Sequence, residues 1–274
     1  MKQYIFILLA LTLFSSNMYG QKVGGLILSR TKDIYYKWER NIERDLDLVF
    51  YNEDFCDYYL FCKVDNSHIL LPGKNTIYTI DKDSEASNAF KYASQYVYFR
   101  GIFPKELKID TPYALPVKNG EKTGWVVDQR EPFRTMNFRV LEDTVYATRG
   151  GVACKTPSRE HLLIYHADNT FAAYMYMSEN FIQEGDIVLT GQPIGIAGSR
   201  GIPISYFFLD KNKLLSENFM GYPYSHFTPV FRTTEGDVKL KEKTFYYAAT
   251  DEELIMQDMD KHEKKKYLKQ KSMK

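Results

Sequence analysis

Turn residues recur at short intervals between Trp125 and Leu209, and that rhythm limits the stretch to strands. Gly150-Gly151, Asp168-Asn169, Gly185-Asp186 and Gly191-Gln192 are its punctuation. Gly, Asn and Asp accept the positive φ that tight turns demand, so clusters of them mark chain reversals. Between them lie apolar runs too short for helices: Thr144–Ala147, Leu162–His166, Phe171–Met177, Ile187–Leu189 and Ser205–Leu209. The chain also holds 22 Tyr and 18 Phe, residue types that favour half-buried pleated surfaces. The expected class is all-β.

The N-terminal half carries the same signature. Leu46, Leu48 and Phe50 alternate with Asp47, Val49 and Tyr51, the period of a strand. Further strands are expected at Tyr58–Val64, Leu70–Leu71, Thr76–Ile80 and Gln95–Phe99, with a short helix or strand near Ile34–Trp38. Short strands separated by turns suggest a small Ig-like β-sandwich. His68 stands beside a turn and reads as a surface residue. A breaker-rich stretch, with Thr111-Pro112, Leu115-Pro116 and Asn119-Gly120, separates the halves. The expected domains are 21–110 for the sandwich, 111–235 for a second β domain, and 236–274 for an extension with a basic helical tail.

Lys2 precedes an apolar run, Tyr4–Phe14, followed by small and polar residues up to Gly20. A basic start, an apolar core and a small-residue exit describe a signal peptide, 1–20, cut after Gly20. The run is short for a bilayer span, and no later segment is long enough. Export to the periplasm or cell envelope is the expectation. Net charge is +1, which gives no reason to invoke nucleic acid.

Three cysteines, Cys56, Cys62 and Cys154, leave at least one thiol unpaired or shared between chains. In one continuous strand Cys56 and Cys62 would stand about 20 Å apart, beyond disulfide reach, so they pair only if the chain turns back. Near the C-terminus, Thr250 and Glu253 fit a capping box. Lys261–Lys274 holds seven Lys against one Glu. That suits either a solvated helix end or an electrostatic foot on an anionic surface.

Four blocks between Thr144 and Lys213 resemble the lysostaphin/LytM-type zinc endopeptidases. They are TVYATRGGVA (Thr144–Ala153), IYHADNTFAAYMYMS (Ile164–Ser178), IQEGDIVLTGQPIGIAGSRG (Ile182–Gly201) and ISYFFLDKNK (Ile204–Lys213). MNFRV (Met136–Val140) continues the match upstream. Nearly every turn glycine of that family is present; Asn169 replaces one, and Asn also tolerates positive φ. The phrase GDIVLTGQ occurs in similar form in biotinyl and lipoyl carrier domains, but no convincing carrier lysine accompanies it.

The resemblance implies an antiparallel β domain whose zinc would activate water and polarise a peptide carbonyl in cell-wall cross-links. Carried over one by one, the family's metal and proton-transfer positions fall on Phe133, Asn137, Tyr176, Ile204 and Tyr206. Phe and Ile have no lone pair to offer. Asn is uncharged, and Tyr ligates well only as phenolate, with an ordinary pKa near 10. The five histidines are His68, His161, His166, His226 and His262, and none restores the set. The expectation is a pseudopeptidase with no catalytic residue, no metal and no cofactor. Phe133, Tyr176, Ile204 and Tyr206 are expected to converge, either filling the former cleft or forming an aromatic groove. Candidate ligand-binding residues are Phe133, Asn137, His166, Tyr174, Tyr176 and Tyr206. The implied partner is peptidoglycan or a cell-wall hydrolase. Two other readings are a working zinc endopeptidase with unorthodox ligands, the one case that needs zinc, and an assembly component of a surface or secretion complex.

Overall fold

The computed structural model describes residues 32–62, 66–82, 96–107, 109–128, 134–216 and 222–272. The expected signal peptide, its cut after Gly20, and Phe133 lie outside the described residues. The chain is all-β in its main elements. It forms two compact units whose segments interleave. The first falls within Met1–Ile102, Asp128–Arg134 and Leu209–His226; the second within Phe103–Val127, Thr135–Phe208 and Phe227–Lys274. The second unit thus takes up the chain at Phe103, ahead of the breaker-rich stretch, and its last segment runs without a break past residue 235.

The first unit contains β1 (Ile34–Arg40), β2 (Leu46–Asn52), β3 (Tyr58–Phe61), β4 (His68–Leu70), β5 (Gly73–Ile80) and β6 (Val97–Arg100). They make two antiparallel three-stranded sheets, β1-β2-β5 and β4-β3-β6. Leu48 and Phe50 are buried as their alternation requires, while Val49 opposite them is buried too. His68 is half-buried on β4, with its ring 6.2 Å from that of Tyr96. A buried ion pair, Arg100 Nη2 to Asp54 Oδ2 at 3.0 Å, is shared with the Tyr58 hydroxyl.

The second unit begins with β7 (Pro112–Ala114), β8 (Lys122–Asp128), β9 (Thr135–Phe138), β10 (Thr144–Tyr146), β11 (Gly151–Cys154) and β12 (Leu162–Tyr165). It continues with β13 (Thr170–Tyr174), β14 (Met177–Asn180), β15 (Ile187–Val188), β16 (Pro193–Ala197) and β17 (Ile202–Leu209). Helix α1 (Lys211–Leu214) and β18 (Tyr224–His226) belong to the first unit. The second then closes with β19 (Val230–Thr233), β20 (Gly236–Val238), β21 (Phe245–Tyr247), α2 (Glu252–Met256) and α3 (Lys261–Lys271). Its main sheet runs β15-β11-β12-β13-β17-β9-β8-β21, with smaller sheets β10-β16-β14 and β20-β19-β7.

Two local differences from the sequence reading have physical causes. The run Phe171–Met177 is not one strand: β13 stops at Tyr174, and Tyr176 sits at φ 60°, which turns the chain before β14. The capping box is not Thr250/Glu253. Asp251 caps α2 by accepting from the Leu254 N–H, and the box belongs to Asp260 and Glu263 at α3. A carboxylate outcompetes the Thr250 hydroxyl, and the Thr250 N–H instead donates to Asn119 Oδ1 at 2.9 Å. Cys56, Cys62 and Cys154 are all buried, and no disulfide forms among them. Asn169 does adopt φ 69°, the turn conformation expected of a glycine substitute.

The core explains the aromatic content. Tyr113, Tyr174, Tyr206, Phe138 and Phe231 are all essentially inaccessible. Tyr113 meets Tyr206 edge-on at 5.3 Å, and Phe231 meets Phe138 at 5.7 Å. Each such pair contributes roughly 0.5–1.5 kcal/mol beyond its area burial.

Candidate functional site

Strand register decides which of the sequence-selected residues meet. On β13 and β17, Tyr174 pairs with Ile204 and Ala172 with Tyr206, so these side chains share one face of the sheet. On β9, Met136 pairs with Ile204 and Phe138 with Ile202, so Met136 and Phe138 point to that same face. Asn137 between them pairs with Pro203 and points to the other. Tyr176 lies past the end of β13, edge-on to the His161 ring at 5.6 Å. Among the described residues, the family-matched positions therefore do not all lie on one face. Ile204 and Tyr206 are neighbours, Asn137 is on the opposite face, and Tyr176 stands beyond the strand end.

Four of the residues do gather. His166, Tyr174, Ile204 and Tyr206 have exposures of 1%, 0%, 0% and 1%. They form a packed interior and not a groove. Hydroxyl groups are satisfied internally. The Tyr174 oxygen accepts from the Thr148 N–H at 2.7 Å and shares a 2.8 Å bond with Thr148 Oγ1. Tyr206 donates to the same Oγ1 at 3.3 Å. Burial raises both phenols above the ordinary tyrosine value, Tyr206 well above it, so neither is a phenolate near neutral pH.

Beside them lies a charged network that the sequence reading missed. Arg149 Nη1 donates to Asp168 Oδ2 at 2.6 Å and to the Tyr113 hydroxyl at 3.1 Å. Its Nε and Nη2 each reach an oxygen of Asp258 at 2.7 Å. Thr170 Oγ1 donates to Asp168 Oδ1 at 2.7 Å. Burial works against charge on Arg149, but the Asp258 hydrogen bonds and the Tyr113 and Asp168 charges raise its pKa above the usual arginine value. Burial likewise opposes the Asp168 carboxylate, and the Arg149 charge outweighs it and lowers its pKa.

His166 Nδ1 lies 2.7 Å from the Gly150 carbonyl, which can only accept, so Nδ1 carries the proton. Nε2 is buried and has no hydrogen-bond partner among the described residues. Burial first, then the Arg149 charge, lowers this imidazole to about 4, and it is neutral at neutral pH. The network holds one cation, two carboxylates and a neutral imidazole.

Zinc does not fit the family-matched positions. Ile204 has no donor atom, Tyr206 keeps its proton and spends its hydroxyl on Thr148, and Asn137 faces away. An activated nucleophile is likewise missing from the network, whose bonds are those of a brace.

Two surface features flank this interior. An open polar cleft of about 850 Å³ is lined by residues that include Thr156, Ser158, Arg159, Glu160, Asn180 and Gln183. On the outward side of β8 and β9, a smaller pocket of about 310 Å³ includes Asn137 in its lining.

No protein-family profile matches the chain, and no curated protein matches it. Among solved structures, the chain is similar to one titled "A Novel M23 Metalloprotease Pseudoalterin from Deep-sea". The identity is 18%, covering 35% of this chain and 68% of that one, with a TM-score of 0.29. At that score the likeness adds nothing to a fold that rests on strand order and register.

Proposed function

We propose that the second unit is a degenerate lysostaphin/LytM-like domain that binds without cutting, in a protein exported to the cell envelope. Its partner is peptidoglycan or a cell-wall hydrolase. The observation that carries this reading is the burial of Ile204 and Tyr206, on the family's paired-histidine positions, at 0% and 1% exposure while Asn137 points to the opposite face. Removing two imidazoles and packing apolar surface in their place favours folding at roughly 25 cal/mol per Å². The fold keeps its turns and loses its chemistry.

Since the interior is closed, binding falls to the surface. The polar cleft beside β14 offers hydroxyl, amide and charged groups suited to glycan hydroxyls and peptide amides. Retention on purified peptidoglycan sacculi tests the reading. The protein is expected to co-sediment, and Arg159→Ala with Gln183→Ala to weaken retention. No retention above a control protein removes the wall-binding version. Metal analysis and a chelator-sensitive hydrolysis assay test the inactive state. Stoichiometric zinc lost together with activity would overturn it.

A further inference from the structure

The outward face of β8, β9 and β21 carries a separate feature. Phe245 on β21 pairs with Gly124 on β8. A Cβ on Gly124 would stand 3.2 Å from the Phe245 ring and push it out by a few tenths of an ångström, so glycine lets the ring lie close against the sheet. The ring then walls a pocket of about 310 Å³, the low end of the range for small-molecule sites. Val126, Leu141 and Phe245 supply its apolar surface, at 43%, 50% and 48% exposure.

The charge around it has one sign. Arg139, Arg200 and Lys243 line the pocket, and among the described residues no Asp or Glu does. Arg139 also stands 6.0 Å from the Phe245 ring centre, and Lys122 stands 5.8 Å from it. Lys243 is held at φ 59°, a conformation a lysine rarely adopts. Its backbone N–H donates to the Trp125 carbonyl at 2.9 Å, which fixes it there. Asn137 also borders the pocket, with its Oδ1 buried beneath the surface.

We propose that this pocket binds a carboxylate carried on an apolar group, the chemistry of an apolar residue at a peptide's carboxyl end. The carboxylate meets Arg139 and Lys243, and the apolar side chain lies against Val126, Leu141 and Phe245. The site uses the opposite face of the sheet from the buried network and does not depend on the envelope reading.

Titration of the full-length protein with N-acetylphenylalanine, followed by isothermal calorimetry, is expected to give a saturable heat change. N-acetylphenylalaninamide, lacking the carboxylate, is expected to bind at least about tenfold more weakly, and Arg139→Glu or Lys243→Glu to cause a similar loss. Arg139 and Lys243 are surface side chains, and circular dichroism confirms that each variant is folded. A hexapeptide ending in phenylalanine identifies the source. Binding equal to or tighter than the acid assigns protein carboxyl ends, and failure to bind while the acid binds assigns free acyl amino acids. No saturable change at millimolar N-acetylphenylalanine, or equal binding of acid and amide, overturns the proposal.

Discussion

The Arg149 guanidinium grips the Asp258 carboxylate in a two-point fork, 2.7 Å at each point, across 109 residues of chain. This contact ties the C-terminal segment to the turn before β11. Arg149 is 3% exposed and also holds Asp168. Its loss would leave Asp168 and Asp258 without their shared cation. Removing one partner of a buried ion pair costs about 3–5 kcal/mol. Arg149→Met is expected to destabilise by that amount in urea unfolding. Asp258→Asn is expected to cost less, because Asp258 is 23% exposed and Asp168 still neutralises the arginine.

The two core tyrosines that bond Thr148 are not equivalent. Tyr174 satisfies both the Thr148 N–H and its hydroxyl, at 2.7 and 2.8 Å. Tyr206 makes one longer bond of 3.3 Å. Tyr174→Phe leaves a fully buried backbone N–H unpaired, at a cost of about 1–3 kcal/mol. Tyr206→Phe keeps its ring packing against Tyr113 and is expected to cost less than about 1 kcal/mol. A Tyr206 variant that proved the more damaging would assign the hydroxyl a role outside this bond.

His166 makes the protein sensitive to acid. Its imidazole titrates near 4 in the folded chain and near 6.5 unfolded. Between these values the unfolded state binds the extra proton, so stability is fully present above pH ~6.5 and declines as pH falls toward ~4. The full span is worth roughly 3 kcal/mol. His226, lowered to about 3 chiefly by burial, acts in the same direction. His166→Gln is expected to flatten the stability profile over that window. Measured by denaturant unfolding at stepped pH, an unchanged slope would show that His166 is not the titrating group.

Much of the strand framework could be read from the chain because alternation and turn residues are local signals. Leu46–Asn52, Leu162–Tyr165 and the Asn169 turn each announced themselves. What no local pattern shows is that Met136 pairs with Ile204, and that pairing places Asn137 opposite Tyr206. The Arg149 network was hidden for the same reason. Asp258 is an ordinary acidic residue in a polar tail until the fold brings it to Arg149. The break at Tyr176 was masked by an unbroken apolar run.

The C-terminus separates a brace from an appendage. Helix α2 buries Leu254 at 1% exposure, and Gln257 next to it donates to the Pro112 carbonyl at 3.1 Å. Asp258 follows within the same turn of chain. Helix α3 buries no residue, and its Lys271–Glu252 contact is between half-exposed side chains. Exposed ion pairs contribute about 0–1 kcal/mol. Deleting 261–274 is therefore expected to leave stability within about 1 kcal/mol of the full chain. Deleting 251–274 removes Asp258 and Leu254 together and is expected to cost at least about 3 kcal/mol. The shorter deletion also isolates the lysines. If α3 is an electrostatic foot, that deletion abolishes salt-sensitive retention on anionic vesicles while the unfolding curve stays put, and unchanged retention assigns the helix no such role.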